Sequence, residues 1–232
     1  MARHGKRYKE AEKLVDRDKN YPLAEAVNLS KKMATAKFDE TIEMHMRLGI
    51  DPRHSDQQIR STVMLPHGLG KTVRVLVFAE AEDARAAEAA GADIVGGEEI
   101  INQIQKDNWM DFDAALAVPS MMAKVSKVAR VLGPRGLMPN PKAGTVVPSD
   151  DLARAIQEVK AGRVEFRNDK TGNLHVPVGK ASFSEPALLE NAQAIVDAVT
   201  KMRPSSVKGL YIRRIVLTST MGPGIRVESI SG

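Results

Sequence analysis

The chain has 232 residues, of which 43% are apolar and 27% charged, so it can bury the core of one large domain or two modest ones. It carries a formal charge of +5 and no cysteine; this excludes disulfides and thiolate metal sites and fits a reducing cytoplasm. The opening MARHGKRYKE lacks the apolar core of a signal peptide. No apolar run approaches the roughly 20 residues of a membrane helix, so no membrane partner is expected.

Residues 8–19 (YKEAEKLVDRDK) predict a charged helix. Pro22 opens a second one, PLAEAVNLSKKMA, from its tolerated first position. Residues 42–50 alternate, with Ile42, Met44, Met46, Leu48 and Ile50 on one face, which predicts a half-buried antiparallel strand. Ile59, Ser61, Val63 and Leu65 predict a second strand that ends at Pro66-His67-Gly68-Leu69-Gly70.

From Lys71 the pattern changes. Val73 to Phe78 is an apolar run suited to a strand covered on both faces. There follow an alanine-rich helix closed at Gly91, a strand (DIV), a helix (EEIINQIQK), a strand (ALAV) and a helix from Pro119 to Gly133. That alternation predicts a parallel sheet flanked by helices. Ser149 is placed as the cap of a helix ending at Gly162. The antiparallel style then returns: RVEFRN and NLHVPVG as a hairpin about Asp169-Lys170-Thr171-Gly172, a long helix capped by Ser184, and the strands LYIRRIVLTST and IRVES.

The expected fold class is therefore α/β and α+β in two domains. Residues 1–67 plus 160–232 form a discontinuous α+β domain with an antiparallel sheet, and residues 68–159 an inserted Rossmann-like α/β domain. Glycines at both crossings would allow hinge motion. Charge follows the same division. Residues 68–159 hold 10 Lys+Arg and 13 Asp+Glu, a net of −3, whereas the flanking segments net +8. This asymmetry points to a polyanion held by the outer domain.

Enzyme motifs fail on spacing. Gly70-Lys71-Thr72 is similar to the end of a phosphate-binding loop, but that loop needs glycine where Leu65 stands, and it must open a helix. A nucleotide-binding α/β enzyme is accordingly the disfavoured alternative. Asp169-Lys170-Thr171-Gly172 is similar to the phosphorylated aspartate motif of ion-pumping ATPases, which require membrane helices. His4, His45, His54, His67 and His175 show no metal-ligand spacing. No catalytic residue, metal or cofactor is expected.

The features suited to RNA are of another kind. In Lys37-Phe38-Asp39-Glu40-Thr41 an aromatic sits in a polar loop. Two roles fit Phe38, a plug at the core's edge or a contact to sugars and bases, and composition does not separate them. Thr218-Ser219-Thr220-Met221-Gly222-Pro223-Gly224 combines hydroxyls with bare glycine amides, which can bond 2′-hydroxyls and phosphates. An ordinary hairpin turn also explains it. In the insert no acidic residue occurs from Ala114 to Ser149, while Lys124, Lys127, Arg130, Arg135 and Lys142 do, giving either a second RNA contact or a solvated face.

Four stretches, KFDETIEMHMRLGIDPRHSDQQIRSTVMLPHGLGK, GPRGLMPNPKAGTV, EFRNDKTGNLHVPVGKASF and TSTMGP, occur in this order. Together they resemble the bacterial family of large-subunit ribosomal protein one, of the mobile stalk near the exit site. The resemblance covers nearly the whole chain. It implies a terminal domain from both chain ends with a Rossmann-like insert, present as a monomer within the large subunit. It implies binding of large-subunit rRNA, help in moving deacylated exit-site tRNA, and repression of the protein's own operon through its mRNA. Carried over by motif, the RNA face would comprise Lys37, Phe38, Glu40 and Thr41, with Thr220, Met221 and Gly222 opposite and Arg167 and Lys170 as neighbours.

Overall fold

The computed structural model describes residues 5–228. His4 and Ser229, the last residue of the IRVES strand, lie outside the described residues. The elements in chain order are α1 (Lys6–Glu12), α2 (Leu23–Met33), β1 (Thr41–Leu48), β2 (Arg60–Met64), β3 (Val75–Phe78), α3 (Ala81–Ala89), β4 (Ile94–Gly96), α4 (Glu98–Asp107), β5 (Ala114–Ala117), α5 (Met122–Val125), α6 (Ala129–Leu132), α7 (Leu152–Ala161), β6 (Arg163–Arg167), β7 (Asn173–Lys180), α8 (Glu185–Lys201), β8 (Ile212–Ser219) and β9 (Ile225–Val227).

The chain divides into two compact units, an outer one running to Gly70 and resuming at Val164, and an insert from Lys71 to Arg163. These crossings lie three or four residues beyond the 67–68 and 159–160 read from composition. Local packing explains the offsets. A Cβ at Gly70 would stand 2.6 Å from the Phe183 ring, so Gly70 lies against the outer core. Arg163 donates to the Ala143 carbonyl at 3.1 Å, which ties it to the insert.

The outer sheet has the order β7-β1-β8-β9 and all its pairs are antiparallel. β1 is central because its alternation gives one fully apolar face: Ile42, Met44, Met46 and Leu48 are all buried. Each such side chain contributes roughly 1.5–3 kcal/mol through removal of apolar area from water. α2 and α8 cover that face, α8 with a side-chain cap in which Ser184 accepts from the Ala187 amide. β2 and β6 form a separate two-stranded sheet.

In the insert, β3 lies between β4 and β5, parallel to both. Both faces are buried, as the continuous apolar run requires. Leu76 and Phe78 pack with Ile101, Ile104, Val125 and Leu132 on one side. Val75 and Val77 pack with Ala87, Leu152, Ile156 and Val159 on the other.

Four local expectations change. The first helix stops at Glu12, because the Tyr21 hydroxyl takes the Asp16 amide and the Asp16 carboxylate takes the Asp18 amide. The 119–133 helix breaks into single turns, α5 and α6 among 3₁₀ turns; Ser126 bonds back to the Ala123 carbonyl, and Val125, Val128 and Val131 are β-branched. Ser149 is not a cap but starts a 3₁₀ turn ahead of α7. Asp169 to Gly172 is not a hairpin turn either, since β6 pairs with β2 and β7 pairs with β1. The four residues carry the chain from one sheet to the other.

Candidate nucleic-acid interface

Three segments meet at one end of the outer sheet because β1 starts there between two partners. Thr41 lies opposite Lys180 of β7, and Ile42 opposite Ser219 of β8. The loop before β1, the turn after β7 and the turn after β8 therefore share one rim.

Glu40 holds the rim together. Its side chain is buried, with one carboxylate oxygen accepting from the Ala36 amide at 2.8 Å and the other from the Met221 amide at 2.9 Å. The Thr220 hydroxyl accepts from the Thr41 amide at 3.0 Å and donates to the Thr41 carbonyl at 3.2 Å. Lys180 donates to the Thr41 hydroxyl at 2.8 Å, and Asp39 accepts from the Ser182 amide and hydroxyl. Thr218 donates to the carbonyls of Ser219 and Gly222, which tightens the turn from within. At Gly222 a Cβ would stand 2.5 Å from the Ser219 oxygen, a buried hydroxyl with no hydrogen-bond partner among the described residues. Glycine is what lets the turn close.

On this scaffold Phe38 is 55% exposed and Met221 54% exposed. Phe38 is thus no core plug. It projects from a loop whose neighbours are hydrogen-bonded in place, and Lys37 beside it is exposed as well. Glu40 stands differently from the rest of its set, because its burial leaves no surface to meet RNA and its part is to position Met221.

Arg167 and Lys170 do not join this rim. The Asp169 turn meets the opposite end of β1, where the Leu48 amide donates to the Gly172 carbonyl at 2.9 Å. Along β1 that is roughly 23 Å from Thr41, at about 3.3 Å per residue. The turn itself is rigid: the Asp169 carboxylate accepts from the Thr171 and Asn173 amides and from both side chains. Burial alone would raise the Asp169 carboxyl, but the Asn173 and Thr171 hydrogen bonds outweigh it and hold the group well below the usual carboxylate range.

In the insert, Lys124 is committed to ion pairs with Glu80 at 2.8 Å and Glu98 at 3.3 Å, so it is withdrawn from the basic patch. Lys127, Arg130, Arg135 and Lys142 are exposed. The loop carrying the last two is internally bonded, with the Asn140 side chain accepting from the Lys142 amide and the Asn140 amide donating to Thr145. Lys71 pairs with Asp113, which occupies the lysine that a phosphate-binding loop would need.

Residues 30–223 match the model of the Ribosomal protein L1p/L10e family. The chain belongs to that family. It is 58% identical over 228 residues to "Large ribosomal subunit protein uL1" of Thermosipho africanus, covering 98% of this chain and 97% of the relative. It is 58% identical over 231 residues to the protein of the same name from Chloroflexus aurantiacus, covering 100% and 98%. The family match takes in all three rim segments and the whole insert, so the rim residues stand in the stretch that the family model covers.

Two rim residues escaped sequence reasoning. Lys180 and Asp39 look like surface charges until β1 is paired with β7, and the pairing register is the signal that brings them in.

Proposed function

We propose that this chain is a structural protein of the large ribosomal subunit, without enzymatic activity, that binds ribosomal RNA through the Phe38–Met221 rim. What carries the reading is an exposed aromatic and an exposed thioether fixed beside each other's loops by the buried Glu40 carboxylate. Aromatics so placed stack on unpaired bases, and the Thr218 and Thr220 hydroxyl oxygens, whose protons are held within the protein, can still accept from 2′-hydroxyls. The net charge of +8 on the outer segments supplies long-range attraction. Family membership supports the ribosomal assignment.

Within the cytoplasmic ribosome one copy would sit at the mobile stalk, assist deacylated tRNA in leaving the exit site, and repress its own operon by binding the same shape in its mRNA. The four exposed cations of the insert would give a second, weaker RNA contact. Arg167 and Lys170 would touch RNA only where it extends beyond the rim.

Filter binding to large-subunit rRNA tests the rim. Phe38→Ala should weaken affinity by about 1–3 kcal/mol, as loss of a stacking aromatic does. Thr220→Ala and Met221→Ala should also weaken it, and thermal unfolding should stay near wild type. Unchanged affinity in all three removes the assignment. Repression is checked separately by titrating the operon's mRNA against the same variants, which should lose both RNAs in parallel.

A further inference from the structure

Beside the rim, on the α1 side, lies a cleft of about 450 Å³. That volume falls within the roughly 300–1,000 Å³ typical of small-molecule sites. Its lining includes Lys6, Arg7, Tyr8, Met33, Thr35 and Met221. The walls offer an aromatic ring and two polarisable thioethers. Two cations line it, and none of the described lining residues is acidic. Arg7 donates to the Thr35 carbonyl at 3.4 Å, which ties α1 to the segment after α2. Met221 belongs to both the cleft and the rim, so whatever lies along the rim arrives at the cleft.

We propose that this cleft takes one unstacked nucleobase of the RNA held by the rim, with the adjoining phosphate against Lys6 and Arg7. The inference rests on the RNA-binding reading of the rim and extends it to a base-specific pocket. A base is a flat, polarisable group attached to an anion, and the lining answers each part: ring and thioethers for the face, cations for the phosphate. An apolar peptide would have no use for two cations, and a cationic partner would be repelled by them. Non-helical RNA supplies the ligand, since its bases can be splayed from the stack at little cost.

The test uses the full chain and the fragment of large-subunit rRNA that it protects from nuclease, remade with a single abasic nucleotide at each position in turn. Thr35 is exposed, so Thr35→Trp fills the cleft without entering the core. Arg7→Ala removes a cation from an exposed position. At one position the abasic change should weaken wild-type binding about tenfold, within the range for a lost stacked base. The same change should cost Thr35→Trp little, because the site is already lost, and such non-additivity marks a shared contact. Equal abasic penalties at every position in wild type, Thr35→Trp and Arg7→Ala would overturn the proposal. Phe38→Ala, run in parallel, separates the two readings. If it weakens binding while the cleft variants show no coupling, the rim stands and the cleft falls. If Phe38→Ala, Thr220→Ala and Met221→Ala all bind normally, the rim reading falls and takes with it the proposal that rests on it.

Discussion

The Gly222 turn is built on a missing atom. The space where a side chain would begin is occupied by the Ser219 hydroxyl, which is buried and has no hydrogen-bond partner among the described residues. Gly222→Ala should therefore distort the turn at a cost of about 1–3 kcal/mol, typical of overpacking, and weaken rRNA binding with it. The Ser219 Cβ would stand 3.6 Å from the new methyl, an ordinary contact. Ser219→Ala in the same chain should thus restore binding, and alone it should leave binding unchanged. Failure of the double variant to recover in a filter-binding assay would mean that the clash is not the reason for glycine. At this scale the sequence was only half legible. Phe38 showed as an aromatic in a polar loop, but which way it faced depends on the Glu40 bonds to Ala36 and Met221. One of those runs across 181 positions of chain.

Among the elements, those defined by periodicity could be read directly. The alternation of Ile42, Met44, Met46 and Leu48 became β1, and the run ending at Phe78 became the doubly covered β3. Segments shaped by side chains bonding the backbone could not. Residues 13–19 and 119–133 carry helical composition, yet Asp16, Tyr21 and Ser126 offer the backbone other partners. The Asp169 turn was misread as a hairpin because good turn residues tell where a chain bends, not which strand it joins next. That turn has a titration signature. Its carboxyl is lowered in the folded protein, so its contribution is complete above the ordinary aspartate range, about 4, and drains away as pH falls below it toward the folded-state value. Asp169→Asn should lower stability at neutral pH and flatten the loss of stability on acidification, as followed by urea unfolding between about pH 2 and 6. An equally steep acid profile in the variant would assign that profile to other carboxylates.

For the molecule as a whole, the change in hydrophobic pattern at Lys71 and its return after Gly162 follow the division into two units, and the charge split of −3 against +8 is the sequence's pointer to a polyanion on the outer part. What the totals concealed is that charges are spent internally: Lys124 on Glu80 and Glu98, Lys71 on Asp113. Lys37 is exposed and stands next to Phe38, so its charge is available. The logarithm of rRNA affinity should fall linearly with the logarithm of salt, and Lys37→Ala should make the slope shallower by about one phosphate's worth, near 0.7–0.9. An unaltered slope would remove Lys37 from the backbone contacts.

The β2–β6 pair is the neck of the insertion. The Ile59 amide meets the Asn168 side chain and the Asn168 amide meets the Ile59 carbonyl, while Arg60 pairs with Glu165 at 2.6 Å. Viewed from the outer unit, everything between those strands is one very long loop whose ends are already stapled. Loop-closure entropy grows only with the logarithm of length, about 0.6 kcal/mol per doubling. The outer fold is therefore nearly indifferent to the cargo it carries: a short glycine-rich link joining residues 65 and 164 should leave a chain that still folds, with an unfolding free energy close to that of the outer unit in the intact protein. Such a scaffold lets one unit be lengthened, trimmed or exchanged while the rim of the outer unit keeps its shape.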